Sequence, residues 1–319
     1  MNQAPASSGP SDLAPEHSRF ERLFNVLGMA AIHFGAACAI YLGARPIDVA
    51  ICVGFYFLRM FAITAGYHRY FAHRSYKTSR VFQFLIALVA TTATQKGPLW
   101  WAATHRRHHR ESDRPGDVHS PVQRGFWYSH IGWVLDDSHE AMKPEEIKDF
   151  WKYPELRWLD RWHVVPVLTV IAASVVFGGW RGIAWWYCMS TFFLMHCTFF
   201  INSLAHVWGK RVYSTTDDSR NNWFLALLTM GEGWHNNHHR YMQSTNQGFF
   251  WWQVDVSYYV LRVLSWFGIV WEIKTPPQRI LDEAKHGDVT PFQKVVDVVE
   301  QVKGVLPDPM PMPMPQDAE

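Results

Sequence analysis

Four apolar runs set the limits on how this 319-residue chain can fold: 24–43, 47–66, 164–180 and 183–201. Each approaches the roughly 20 residues that an α-helix needs to cross a ~30 Å hydrocarbon core. The mean hydropathy of the whole chain is only −0.14, because the apolar residues are concentrated in these runs. The first pair is joined by Ala44-Arg45-Pro46, and the second turns within Gly178-Gly179-Trp180-Arg181-Gly182. Links this short make antiparallel hairpins, so the sequence predicts four transmembrane helices in two hairpins, with both termini on one side. The connector 68–163 is rich in Arg and Lys, which places it in the cytoplasm. The expected fold class is an all-α integral membrane protein whose helical cytoplasmic cap is formed by 67–163 and 202–275. That cap and the spans make up a membrane domain over 21–275. A disordered segment is expected over 1–20, and a C-terminal tail over 276–319 that is largely disordered after 306.

The shorter apolar stretch 81–94 suits a re-entrant or interface-lying helix better than a span. The stretch 249–270 is rich in aromatic residues and carries Asp255 and Arg262, which predicts one or two interfacial helices. No apolar signal-peptide core is visible in the first residues. Cys38, Cys52, Cys188 and Cys197 all fall in spans and read as reduced packing residues. A formal charge of +2 gives no reason to expect nucleic-acid binding.

Histidines gather at the polar ends of the runs: His68 and His73, then His105, His108 and His109, then His235, His238 and His239. Neutral imidazole is the commonest metal ligand in proteins, and eight in three tight groups exceed what a core needs. The spacing i, i+3, i+4 in the last two groups puts their members on one helical face. His68 and His73 are five residues apart and cannot both point inward from a straight α-helix, so the second span is expected to unwind near His73. Asn202 and His206, at i and i+4 beyond the last run, add an amide and a ninth imidazole. Nine donors exceed one coordination sphere, which makes two ions the natural count. Ligand type alone does not select among Zn, Cu, Fe and Ni, and the absence of Cys from the clusters argues against a structural zinc site. His119, His130, His139 and His163 read as assisting or surface residues, and His17 and His286 as exposed. His33 and His196 lie inside spans, where polar groups are costly and often functional.

From residue 63 to 239 the chain resembles the membrane fatty acyl desaturases, specifically the stearoyl-CoA (delta-9) group. The likeness is carried by Ile63-Thr64-Ala65-Gly66-Tyr67-His68-Arg69, His73-Arg74-Ser75-Tyr76-Lys77, the stretch from Arg124 through Ser129-His130-Ile131-Gly132-Trp133, Asn202-Ser203-Leu204-Ala205-His206, and Gly231-Glu232-Gly233-Trp234-His235-Asn236-Asn237-His238-His239. The resemblance implies a di-iron centre held by His68, His73, His105, His108, His109, His206, His235, His238 and His239, with Asn202 acting through a water. It implies O2 as co-substrate and a kinked acyl tunnel, with Gln95, Trp101 and Thr198 at the bend. Thr198 stands one helical turn before Asn202.

Some positions depart from animal relatives, which place Arg two residues before the second histidine group and Arg-Lys after the Gly-Trp segment. Here those positions hold Ala103 and Asp136-Asp137-Ser138. Phosphate recognition favours Arg and Lys, so the CoA site is not copied, although Arg106, Arg107, Arg110, Arg114 and Arg124 offer another anion site. Acyl-CoA is the first expectation for substrate, with acyl carrier protein or phospholipid as alternatives. Tyr56 and Met60 precede His68 by about three and two turns, and Met60 is expected to shorten the tunnel toward 16-carbon chains. Neither a haem-binding motif nor a ferredoxin-type Cys cluster occurs, so electrons are expected from a separate ferredoxin or flavoprotein reductase docking on the basic face. A bacterial inner membrane is expected rather than endoplasmic reticulum. Two other readings stand beside desaturation: a di-iron membrane hydroxylase of fatty acids or alkanes, and a membrane metal transporter or sensor.

Overall fold

The computed structural model describes residues 15–136 and 142–286. The segments 1–14 and 287–319, which hold most of the expected N-terminal segment and C-terminal tail, lie outside that range, as do His139 and the side chains of His17 and His286. The first helix, α1 (Pro15–Leu42), starts inside the stretch assigned to the N-terminal segment. After the turn at Gly43, α2 (Pro46–Phe61) opens on Pro46 and runs straight into a wider π-helical segment, Ala62–Ala72. In the cap, α3 (Arg80–Thr91) is capped by Ser79, whose hydroxyl accepts from the Phe82 amide. α4 (Pro98–Glu111) starts on Pro98, whose missing N–H is one the first turn would leave unpaired anyway. Then come α5 (Val164–Arg181), α6 (Ser190–Asn202), α7 (His235–Arg240) and α8 (Val256–Trp266).

Among the described residues, three helical stretches are long and apolar enough to cross a membrane: Arg22–Leu42, Pro46–Ala72 and Val164–His206. The last is not straight. Gly179 adopts φ 55 and ψ −145, a conformation that glycine tolerates without penalty. A Cβ placed on Gly182 would come within 2.0 Å of the Ser174 carbonyl oxygen, so the chain folds back on itself there. That reversal meets the tip of the first helix pair: Arg181 donates to the buried carboxylate of Asp48 and to the carbonyls of Leu42 and Gly43. Outward side chains are large and apolar, with Phe34 73%, Tyr41 92%, Phe177 80% and Trp180 84% exposed. Water would penalise such a surface, whereas hydrocarbon accepts it. The protein is therefore read as a membrane protein.

The cap packs on the π-helical segment through Tyr67, Phe71, Leu99, Leu156 and Leu261, all essentially inaccessible. α3 buries Ile86 and Ala90 and exposes Val81 and Leu85, consistent with an interface-lying helix. The stretch 249–270 gives one helix, α8, capped by Asp255, with Trp251, Trp252, Trp266 and Phe267 exposed around it. A two-residue antiparallel pairing of Lys77–Thr78 with Val270–Trp271 fastens its far end to the segment after the second span. All four cysteines are free.

Candidate metal centre

The π-helical segment solves the spacing problem of the first histidine pair. A π-helix closes i→i+5 hydrogen bonds, and the His73 amide donates to the His68 carbonyl at 3.2 Å. The rings of His68 and His73 come to 4.8 Å between centroids. The helix does end at His73, but widening, rather than unwinding, brings both rings to one side. On α4 and α7 the i, i+3, i+4 spacing is helical, as expected. Asn202 and His206 do not share a continuous helix: α6 ends at Asn202, and His206 sits on a 3₁₀ turn, Leu204–His206. Asn202 is anchored there through its carbonyl, which accepts from the Ser129 hydroxyl at 2.8 Å.

All nine histidines converge, and they sort into two groups. His68, His73, His105, His109 and His238 form one; His108, His206, His235 and His239 form the other, with donor atoms within 4.8 Å of one another in each. α4 and α7 contribute to both groups. In the first, Nε2 atoms face each other: His68 and His238 at 3.0 Å, His105 and His73 at 3.0 Å, His109 and His238 at 2.9 Å. A neutral imidazole carries one proton, so five inward nitrogens cannot all pair with one another, whereas one cation accepts every lone pair at once. In the second group the buried Nε2 atoms of His108 and His239 have no hydrogen-bond partner at all. The residues present therefore fit two metal ions. Burial, reinforced by neighbouring imidazoles, holds His73, His105, His109, His235 and His238 well below the ordinary histidine range. They are neutral, the form that ligates.

Four carboxylates fix the outward nitrogens. His108 Nδ1 meets Asp117 at 2.9 Å, His206 Nδ1 meets Asp113 at 2.9 Å, His239 Nδ1 meets Asp217 at 2.7 Å, and His68 Nδ1 pairs with Glu232. Such partners set the tautomer so that Nε2 presents its lone pair inward. Burial alone would raise these acids, but their histidines outweigh it: Asp113 is brought down to about 2, and Asp117 and Asp217 lower still. The carboxylates are absent from the sequence-based site. Asp113, Asp117 and Glu232 lie within ten residues of a histidine group, and that proximity was the available signal. Asp217→Asn keeps the shape and removes the charge. Metal affinity is expected to fall about 10–100-fold, read by competition with a chelator on purified protein. An unchanged affinity would show that Asp217 does not govern His239.

Of the expected tunnel residues, Trp101 lies against the first group, and Gln95 and Thr198 are joined to it by hydrogen bonds. Gln95 donates to Thr198 Oγ1 at 2.9 Å and accepts from Trp101 Nε1 at 3.2 Å. Trp101 stacks on His105, centroids 5.0 Å apart and planes 21° from parallel. Met60 is fully buried, and Tyr56 donates to the Leu228 carbonyl. Four of the five arginines expected to offer an anion site are paired with carboxylates. Arg106 pairs with Asp149, Arg107 and Arg110 with Glu146, and Arg124 with Asp136. These acids lie 12 to 43 residues along the chain, beyond the reach of local pattern. Two histidines given assisting or surface roles prove buried. His119 packs on His108 and is pushed down to about 3 by burial and by His108. His130 joins His196 and Ser203 by hydrogen bonds, and His196 in turn reaches His33. His163 is half-buried, its Nδ1 on the Asp160 carbonyl.

Known proteins are similar to this chain over most of its length. The chain is 38% identical over 232 residues to an acyl-CoA C20 Delta5-desaturase of Anemone leveillei, covering 72% of this chain and 74% of that one. It is 36% identical over 282 residues to delta-9 acyl-lipid desaturase 1 of Arabidopsis thaliana, covering 86% and 90%. A third relative, the chloroplastic palmitoyl-monogalactosyldiacylglycerol delta-7 desaturase of Arabidopsis thaliana, is 35% identical over 234 residues, 72% of this chain and 63% of its own. The profile of the fatty acid desaturase family matches residues 47–270, which contain every histidine of both groups. With that match, and with relatives of this identity along most of their length, the chain belongs to the fatty acid desaturase family.

Proposed function

We propose that this protein inserts a cis double bond at the Δ9 position of a saturated acyl chain, using O2 and two electrons at a pair of iron ions. The observation that carries this reading is the split of nine histidines into groups of five and four, with carboxylates behind four of them. Two hydrogens leave adjacent methylenes with their electrons; with two further electrons and two protons they reduce O2 to two waters. Iron, when bound, supplies the O2 activation that no side chain offers. Asn202 is assigned to one of the two ions through a water. The side chains orient the chain and exclude water. Gln95, Thr198 and Trp101 bend the acyl chain so that one carbon pair faces the metals, and Tyr56 and Met60 close its far end.

The same reading takes the reversal at Gly179 as the tip of a second hairpin, giving four spans. Its meeting with Gly43 through Arg181 supports placing both tips at one end; on this reading the cap and both termini face the cytoplasm of a bacterial inner membrane. Electrons come from a separate ferredoxin or flavoprotein reductase. Acyl-CoA is the substrate on this reading. The pairing of four cap arginines with carboxylates favours a second one, an acyl chain carried on a membrane lipid.

Expression in a host lacking its own desaturase, followed by gas chromatography of fatty methyl esters, tests the proposal. A new monounsaturated ester with its bond at carbon 9 is expected. A hydroxy ester would replace the reading by hydroxylation, and metal uptake by vesicles without any lipid product would replace it by transport. In the same assay Met60→Ala is expected to raise the share of products longer than 16 carbons; an unchanged chain-length profile would remove Met60 from the tunnel. Its complete burial supports a place inside the protein rather than against lipid.

A further inference from the structure

Arg59 is a cation placed inside the second span, 2% exposed, with no carboxylate partner among the described residues. Ionisable groups at such depth are expensive and are rarely retained without a task. Its guanidinium donates to Thr191 Oγ1 at 2.8 Å, to Ser190 Oγ at 2.5 Å and to the Thr92 carbonyl at 3.3 Å, and lies 5.9 Å from the centre of the Tyr187 ring. Thr92 is the C-cap that follows the last residue of α3. The cation therefore sits where the helix dipole is negative and where carbonyls lack intrahelical partners.

The backbone just beyond Thr92 is strained. Thr94 has φ 63 and Lys96 has φ 62, both in the left-handed region. For a β-branched residue such as Thr94 that is a genuine outlier. Strain of this kind persists only where the surroundings over-determine it. Here three contacts do so. Arg59 holds the Thr92 carbonyl, the Tyr187 hydroxyl bonds Thr94 Oγ1 at 2.9 Å, and the Tyr67 hydroxyl donates to the Lys96 carbonyl at 3.0 Å. Gln95 lies between the two strained residues. Its side chain bonds Thr198 and Trp101, and Trp101 stacks on His105. A continuous set of contacts thus joins the intramembrane Arg59–Tyr187 pair to the first histidine group.

We propose that Arg59 and Tyr187 are positioning residues that set which carbon pair is desaturated, by holding residues 92–97 in the strained form that fixes Gln95 relative to His105. This rests on the desaturase reading, in which the acyl chain bends at Gln95, Thr198 and Trp101. A shift of the turn by one methylene along the tunnel would present the neighbouring carbon pair, so the device acts on position rather than on turnover.

The test is the double-bond position in products of Tyr187→Phe and Thr94→Val, each of which deletes the same hydrogen bond while keeping bulk. The ratio of the main positional isomer to its neighbours is expected to fall about fivefold, the change for one ordinary hydrogen bond. The double variant should do no more than either single one, because both remove one shared contact. Thr94→Ser, which retains the hydroxyl, should restore the parent ratio, and Arg59→Gln should lower it as Tyr187→Phe does. A loss of total product with the isomer ratio unchanged in Tyr187→Phe and Thr94→Val would reduce the pair to packing and overturn the inference. Absence of any alkene from the parent protein would instead sink the desaturase reading, and the inference with it.

Discussion

Replacing His238 with Ala is expected to abolish double-bond formation and to leave the purified protein with one metal ion per chain instead of two. His238 Nε2 lies 3.0 Å from His68 Nε2 and 2.9 Å from His109 Nε2, so it joins three separate elements at the heart of the first group. Its loss removes a donor and leaves a cavity against buried and partly buried rings. His235 and His239, on the same short helix, serve the second group, and His239 remains locked to Asp217 at 2.7 Å. The second ion should therefore stay. Elemental analysis of the purified variant reads the metal count, and ester chromatography reads the product. Retention of both ions with undiminished product would show that the two groups are not the sites they are taken to be.

That variant tests something the sequence already displayed. Histidine is scarce enough, and its spacing regular enough, for all nine rings to stand out before any fold is known. The apolar runs are equally visible, because hydrocarbon demands unbroken stretches. Other features were hidden for physical reasons. The π-helical segment 62–72 is invisible to an argument that assumes 3.6 residues per turn, and the five-residue gap between His68 and His73 is the trace it leaves. Asp113, Asp117 and Asp217 lie in loops, where acids ordinarily read as solvated charge. Only the fold shows their carboxylates set behind imidazoles, with Asp117 and Asp217 buried and the Asp113 side chain 7% exposed. The cap arginines misled in the opposite sense, because Arg106 and Arg107 meet Asp149 and Glu146 some 40 residues later. Arg59 is inconspicuous in an apolar run whose average hydropathy one charge hardly alters.

Arg69→Met is expected to destabilise the protein by about 3–5 kcal/mol, the cost of leaving buried charge uncompensated. Arg69 is 1% exposed and binds Asp255 at 2.9 Å, Glu232 at 3.0 Å and the Thr245 carbonyl at 3.0 Å. Both acids are buried and engaged elsewhere. Asp255 caps α8 and accepts from the Gln247 amide, while Glu232 holds His68 and accepts from the Gln247 side chain. Removing the cation leaves two carboxylates facing each other in a dry interior, and one of them orients a metal-site imidazole. Neutralising both acids as well, in Arg69→Met/Glu232→Gln/Asp255→Asn, removes the uncompensated charge, so much of the stability should return. The grip of a carboxylate on His68 Nδ1 does not return with it. Thermal unfolding in detergent should thus separate the single variant from the triple one, while metal affinity at the first group falls in the triple variant, which lacks the Glu232 carboxylate. Equal unfolding temperatures for the parent and Arg69→Met would show that the buried network contributes nothing to the fold, and full metal affinity in the triple variant would free His68 from its dependence on Glu232.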